Sequence, residues 1–455
     1  MKLLHTSDWH LGQTLHQHER EAEHARFLAW LLDTLQAEQI DALLVAGDVF
    51  DNTNPSAASQ AMLYRFLAQA RQRVPHLNIV ITAGNHDSPG RLQAPSPLLA
   101  EFGAHVVGTV GNWGAAGAAG VAGGAGNACG AGNSGDASPD LARLVVPLRN
   151  RAGDVAAWCM AVPFLRPADV PRVEVADSGT DSKADDAYAA GTHALYARVY
   201  AHAASLRQPG QAVLAMGHCH LTGGQVSEDS ERRIVVGGAE ALSASLFDTG
   251  IAYVALGHLH LAQTVGGDAT RRYCGSPLPM SFSEIHYPHQ VVVVELAGEA
   301  VASVRSVPVP RTVDLLRVPP RPAPLPEVLA ALGVLPDVPA DAQPDDLWPY
   351  LQVRVQLTQP EPGLRAQIEA ALAGKAVRLV RIETSLAASA AAQAAPPVSL
   401  DELGALSPTA FFERLYRHRF NDTPPSPELL GAFAELLVEA GDADTGAGAN
   451  QGAKS

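Results

Sequence analysis

Five short runs carry side chains able to bind cations and move protons. They are Asp8-Trp9-His10, Gly47-Asp48-Val49-Phe50-Asp51, Gly84-Asn85-His86-Asp87, Gly217-His218 and Gly257-His258-Leu259-His260. Of 17 histidines, six sit in or beside these runs: His10, His86, His218, His220, His258 and His260. Neutral imidazole is the commonest side-chain metal ligand. Two divalent ions ~3.5–4 Å apart need a bridging carboxylate and several terminal donors. Asp48 is the natural bridge. Asp8, His10 and His260 could complete one ion, and Asn85, His218 and His258 the other. Mixed carboxylate and imidazole donors suit manganese, iron or zinc better than magnesium or calcium. Such a pair acidifies a shared water and neutralises phosphate oxygens, which is the chemistry of phosphoester hydrolysis. Alone, an Asp-x-His is more often chance than ligand; five such runs in order, each after a buried strand, are hard to read as chance.

The elements that must position these runs are legible as apolar segments ending at each one. Lys2–Thr6 reads as a buried strand running into Asp8. Residues 41–46 read as a strand ending at Gly47-Asp48, and 77–82 as one ending at Gly84-Asn85. Phe27, Leu28, Leu31, Leu32 and Leu35 share one helical face, and a second helix is expected over 56–73. Sheet-like segments follow at 141–146 and 155–162, then a polar helix over about 185–206. Strands at 212–216 and 251–256 stop at Gly217-His218 and Gly257-His258, and 290–296 adds another. Alternating strand and helix predicts a mainly parallel sheet covered on both faces. Open α/β sheets place their sites at the C-terminal ends of the strands.

Residues 111–135 hold ten glycines and eight alanines among 25, which reads as a flexible insertion over 111–139. A proline-rich stretch from Val307 to Pro326 marks a boundary. Past it, Leu351, Val353, Val355 and Leu357 alternate with polar residues as in a half-buried strand, then a helix (363–373) and a strand (376–382). The expected organisation is a core over 1–306, a small α+β unit over 307–386 and an Ala/Pro linker over 387–399. A helical segment over 400–441 and a disordered tail over 442–455 follow. Ser407-Pro408 and Ser426-Pro427 each read as an N-cap followed by proline at the first helical position. Phe411, Phe412, Leu415 and Tyr416 make one apolar face; Leu429, Leu430, Phe433, Leu436 and Leu437 make another.

The bulk numbers set bounds. The chain has 455 residues, 47% of them apolar, and a formal net charge of -15. That sign does not point to nucleic acid by itself; a DNA enzyme with this balance needs cations from bound metals and a partner. The four cysteines, Cys129, Cys159, Cys219 and Cys274, form no CxxC pair, so neither a thiolate zinc site nor a disulfide framework is suggested. The first residues are too short an apolar run for a signal peptide, and no apolar run approaches ~20 residues. A cytoplasmic, reduced protein is expected.

Taken together, the five runs resemble the calcineurin-like metallophosphoesterase superfamily. The opening His5-Thr6-Ser7-Asp8-Trp9-His10-Leu11-Gly12, the two Gly-Asp and Gly-Asn-His-Asp-Ser runs, Ser227–Arg232 and Gly275-Ser276-Pro277 are similar to its break-repair nuclease branch. The resemblance covers about residues 1–390. It implies an α/β fold: a four-layer β-sandwich flanked by helices, with a small α+β capping domain and C-terminal helices. It carries metal ligation onto Asp8, His10, Asp48, Asn85, His218, His258 and His260, and catalysis onto His86. It implies two divalent ions, most often Mn2+, and DNA as substrate in replication, recombination and repair. The activity implied is 3′–5′ exonuclease action on duplex ends and endonuclease action on single strands and hairpins. The ATP would be bound by an SbcC-like ATPase subunit in a heterotetramer, because this chain has no GxxxxGK[ST] loop. A homodimer through the N-terminal helices is also implied.

Several alternatives stay open on sequence alone. His220 competes with His218, although the spacing to Gly223-Gly224 favours His218. Asp51 could orient an imidazole or cap a loop. Arg91 could meet a DNA phosphate or be a solvated surface residue. The C-terminal helices could dock on the partner or fold back on this chain. A small-molecule phosphoesterase would share every ligand, and a non-enzymatic subunit could keep the site as scaffold.

Overall fold

The computed structural model describes residues 1–111, 141–171, 173, 183–225, 241–339, 347–359, 361–386, 407–420, 423–431 and 433–434. By its contacts the chain divides into two compact units, Met1–Asp314 and Leu315–Ser455.

The first unit contains two six-stranded sheets. One runs in the order Ala300–Pro308, Gln290–Ala297, Lys2–Thr6, Ala42–Ala46, Asn78–Thr82, Ala104–Val107. Its last four strands pair in parallel, and the Gln290–Ala297 strand closes on Lys2–Thr6 antiparallel. The other runs Gln263–Val265, Asp268–Tyr273, Tyr253–Gly257, Ala212–His218, Val155–Ala161, Val145–Arg149, with its four inner strands parallel. The single parallel sheet read from alternation is therefore two, as the family resemblance implied. Periodicity cannot separate them, because the central strands of both are buried on each face and read as continuous apolar runs.

Side-chain alternation assigns the layers. Leu3, Ala42, Leu44 and Val80 face a core shared with Leu214, Met216 and Val254 of the second sheet. Their neighbours Leu4, Leu43, Val45, Ile79 and Ile81 face the helices Glu21–Ala37 and Ala57–Arg73 through Phe27, Leu31, Leu35, Leu63 and Phe66. Ser56 caps the second helix, accepting from the Ser59 amide, as its predicted start required. The helix Lys183–Leu206 covers the second sheet with Leu195, Tyr196, Val199 and Ala203. Helix, sheet, sheet and helix make four layers, and each fully buried leucine or valine contributes about 1.5–3 kcal/mol.

Three local expectations need correction or placing. Leu141–Leu144 is a short helix, and the strand begins only at Val145, where the β-branched pair Val145-Val146 takes over from good helix formers. The proline-rich boundary stretch contains the division between the two units, and its second part, Leu315–Pro324, is an edge strand. Its register shifts between Val318 and Ala323, so Pro319, Pro320 and Pro322 sit where no ladder N–H is needed. The glycine insertion from 112 on, Ser227–Arg232, the linker 387–399 and the tail 442–455 lie outside the described residues.

The second unit joins Leu315–Pro324, Tyr350–Leu357 and Arg378–Leu386 as a parallel sheet. The helices Leu325–Gly333 and Leu364–Ala371 connect its strands and bury Val328, Leu332 and Ile368 against Leu351, Val353 and Val355. The unit expected as α+β is instead a parallel strand–helix–strand–helix–strand unit, α/β in type because each helix links two parallel strands. The helix Pro408–Arg419 is capped by Ser407. Phe412 stacks on Phe433 with centroids 4.1 Å apart, so the two apolar C-terminal faces meet each other. No helix among the described residues is long and apolar enough to cross a membrane.

His5 ties the two sheets together. Its Nδ1 accepts from the Tyr253 hydroxyl (2.9 Å) and its Nε2–H donates to the Leu256 carbonyl (3.1 Å). Burial, then the nearby Arg272 charge, pushes its pKa down to about 3. The folded state therefore keeps this ring neutral while the unfolded chain protonates it near 6.5. Stability from this source is complete above pH ~6.5 and falls by about 1.4 kcal/mol per unit as pH drops toward 3. Urea midpoints measured from pH 7 to 4 in EDTA should fall less steeply for His5→Gln; an unchanged slope would show that His5 is not the titrating group.

Candidate metal centre

Within each sheet the parallel strands end on one rim, and every predicted ligand lies at or just beyond such an end. Backbone bonds extend the pairing into the loops: the Asp8, His10 and Leu11 amides donate to the Gly47, Asp48 and Val49 carbonyls at 3.1, 3.0 and 2.9 Å. Four ligand candidates adopt left-handed backbone, with φ 53° at Asp8, 46° at His10, 48° at Asp48 and 101° at His258. Non-glycine residues rarely do this, and such strain concentrates at functional sites. Glycines let the strand ends close up. A Cβ on Gly47 would lie 2.2 Å from His218 Nδ1, and one on Gly84 would lie 2.1 Å from Asp48 Oδ1.

The side chains converge on Asp48. Its Oδ2 lies 3.3 Å from His218 Nε2 and 3.6 Å from His10 Nε2. Its Oδ1 accepts the His86 backbone N–H at 2.9 Å. Asn85 Oδ1 meets His218 Nε2 at 2.9 Å and His258 Nδ1 at 3.1 Å. The Asp8 carboxylate accepts from the His258 amide and from the Ser7 hydroxyl. The ring of His10 lies 4.8 Å from that of His86 and 5.3 Å from that of His260. Asp8, His10 and His260 each offer a ligand atom within 4.8 Å of the others, as do Asp8, Asp48 and His218. Asp8, His10, Asp48, His218, His258 and His260 are buried, whereas Asn85 and His86 reach solvent.

Without cations this cluster is an electrostatic compromise. Burial opposes the charge on Asp48, yet His218 and then His10 hold its carboxyl well below the usual range. Burial likewise opposes protonation of His218, but the Asp48 carboxylate pushes its pKa up to about 9. Burial, then the His218 charge, holds His258 well below its ordinary value, which leaves that ring neutral. Asp87, buried beneath, is raised to about 6 by burial and by Asp48. It accepts the Val49, Phe50 and Gly84 amides at 2.9–3.1 Å, pinning the Asp48 and Asn85 loops to each other.

These residues fit a pair of divalent cations. Two carboxylates, an amide and four imidazoles crowd one rim, and His10 Nε2 is buried with no hydrogen-bond partner. A bound cation would satisfy that nitrogen and take over the balancing charge now held as a proton on His218. His218 is the residue of its pair that touches Asp48 and Asn85, while His220 follows half-buried. Asp51 does meet imidazoles: its Oδ1 lies 3.4 Å from His10 Nδ1, and its carbonyl accepts from His86 Nδ1 at 2.8 Å. Arg91 is exposed on the short helix Pro89–Gln93. Sequence reasoning assigned nothing to Asp87, although it sits in a motif, or to Glu284, whose Oε1 lies 2.8 Å from His260 Nδ1. Glu284 had no periodic or motif signal.

Gly84 supplies a test of the close packing. Its Cβ would also lie 2.2 Å from the Asp48 backbone nitrogen, which cannot swing aside. Gly84→Ala is expected to move Asp48, weaken Mn2+ binding in calorimetry at least tenfold, and lower phosphodiester hydrolysis by about 10²-fold. Wild-type metal affinity in that variant would show the approach is not needed.

Comparison with known proteins agrees with this geometry. The calcineurin-like phosphoesterase family matches residues 1–262. The family described as type 5 capsule protein repressor C-terminal domain matches residues 311–420. The chain is 40% identical over 415 residues to the D subunit of the SbcCD nuclease of Rhodobacter capsulatus, covering 90% of this chain and 93% of that protein. It is 36% identical to the corresponding protein of Escherichia coli K12, over 69% of each chain. It is 35% identical to that of Bacillus subtilis 168, over 65% of this chain and 66% of the relative. The family match over residues 1–262 and 40% identity across 90% of the chain place it in the calcineurin-like phosphoesterase family, among the D subunits of SbcCD nucleases.

Proposed function

We infer that this chain hydrolyses DNA phosphodiesters as the nuclease subunit of an SbcCD-type complex. The observation that carries the reading is the convergence of donors from both sheets on Asp48. Asp8, His10, Asp48, Asn85, His218, His258 and His260 would hold two divalent cations, with Mn2+ the best match to mixed oxygen and nitrogen donors. Bound there, the cations would supply Lewis acidity for water and phosphate. His86 is the catalytic residue. Its Nδ1–H donates to the Asp51 carbonyl, which fixes the ring and leaves Nε2 facing the site, where the imidazolium form would give its Nε2 proton to the leaving 3′ oxygen. The Asp51 carboxylate keeps the neighbouring His10 ring in place.

With a formal net charge of -15, this chain holds duplex DNA poorly by itself, so an SbcC-like ATPase would supply much of the grip and the ATP site. The second unit would serve as the cap, and the segment from 400 to 441 as the partner contact. A homodimer through the core and a heterotetramer with the ATPase complete the assembly. Cys159, Cys219 and Cys274 are unpaired, which suits a reducing cytoplasm.

The test combines the purified chain with its SbcC-like partner, Mn2+ and ATP. Degradation of linear duplex from 3′ ends and nicking of hairpins are expected. Hydrolysis of p-nitrophenyl phosphate with no DNA cleavage would instead favour a small-molecule phosphoesterase.

A further inference from the structure

We propose that Glu284 is a positioning residue that fixes the tautomer and orientation of His260 for cation binding; this rests on the metal-centre reading above. Glu284 is fully buried, in a one-turn helix over Phe282–Glu284 capped by Ser281. Its Oε1 lies 2.8 Å from His260 Nδ1, and its Oε2 accepts the Met280 amide at 2.7 Å. Both carboxylate oxygens are thus engaged, so the group cannot rotate away. The Nδ1–H of His260 donates to Glu284, which leaves Nε2 as the lone-pair nitrogen, and His260 offers a ligand atom within 4.8 Å of those of Asp8 and His10. Carboxylate partners of this kind set ring orientation and raise the basicity of a ligand histidine.

The support for Glu284 is itself built in. Arg20, buried in a bidentate pair with Glu23, donates to the Pro279 carbonyl at 2.8 Å and to Gln13 Oε1 at 2.6 Å. Gln13 donates from its side chain to the Met280 carbonyl and from its backbone to the His10 carbonyl. One buried guanidinium therefore joins the loop that carries His10 to the loop that aims Glu284. Among the described residues no such network surrounds His258, whose Nδ1 contacts Asn85 directly.

The wild-type protein gives the first readout. Nitrogen NMR of 15N-histidine-labelled, metal-free protein, with His260 assigned by its loss in His260→Gln, should show His260 protonated at Nδ1 and bare at Nε2. A His260 ring protonated only at Nε2 would overturn the proposal. The second readout is Mn2+ binding to Glu284→Gln, by calorimetry and by electron paramagnetic resonance. One of two Mn2+ ions should bind about 10–100-fold more weakly, and the spin-coupled pair signal should give way to that of an isolated ion. Glu284→Asp, which retains the charge, should recover part of that loss. Unchanged affinity for both ions in a folded Glu284→Gln would also overturn it. A wild-type protein that binds no Mn2+ pair would sink the metal-centre reading instead, and the His260 tautomer would still decide the role of Glu284.

Discussion

Replacing His86 by alanine is expected to lower DNA cleavage by about 10²–10⁴-fold while both cations still bind. The separation follows from geometry. The backbone N–H of His86 supports Asp48 and survives the substitution, whereas the ring, anchored on the Asp51 carbonyl, is lost. The ring lies beside His10 but is half-exposed, so its removal should cost little stability. Single-turnover cleavage of a labelled hairpin, paired with Mn2+ calorimetry, measures the two effects apart. Full cleavage by His86→Ala would remove the proton-transfer role and return a differently organised site to consideration. Loss of metal together with activity would make His86 a ligand.

Asp48→Asn should have the opposite signature, with cation binding and cleavage failing together. Among the described residues, Asp48 is the one carboxylate placed against His10, His218 and the His86 amide at once. A neutral amide keeps the shape but not the charge that a cation pair would need. In wild type, Mn2+ at 100 times its dissociation constant should raise unfolding free energy by about 2.7 kcal/mol, through mass action on the folded state. That increment, read as a shift in thermal midpoint, should vanish in Asp48→Asn. A variant still stabilised by Mn2+ to the wild-type extent would show that Asp48 does not bridge.

Much of this was legible beforehand because the signals are local. Strands Lys2–Thr6, Ala42–Ala46 and Asn78–Thr82 end where their apolar runs end, and the polar residue after each run falls on the rim. The helix face through Phe27, Leu31 and Leu35 followed from periodicity. The pairing of the two sheets did not, because fully buried strands carry no alternation to say which neighbour they have. Nor did the strand Leu315–Pro324, whose prolines argue against a strand until its edge position and register shift are known. At the site, residues within the motifs came readily, while their supports did not. Glu284 lies 24 residues from the histidine it contacts, in a turn with no repeating pattern, so only the folded chain brings the two together.

The placement of ligands on both sheets has a consequence for how the molecule assembles. Asn85 meets His218 and His258 across 133 and 173 residues, and the His258 amide meets Asp8 across 250. Ring closures of that length are entropically unfavourable until local structure has shortened the path between their ends. The first sheet needs a closure at least as long, because Lys2–Thr6 pairs with Gln290–Ala297, so the rim can form only together with these long-range closures. Newly made chains should be complete in their strands before they can retain a cation, so metal capture reports that these closures have been made.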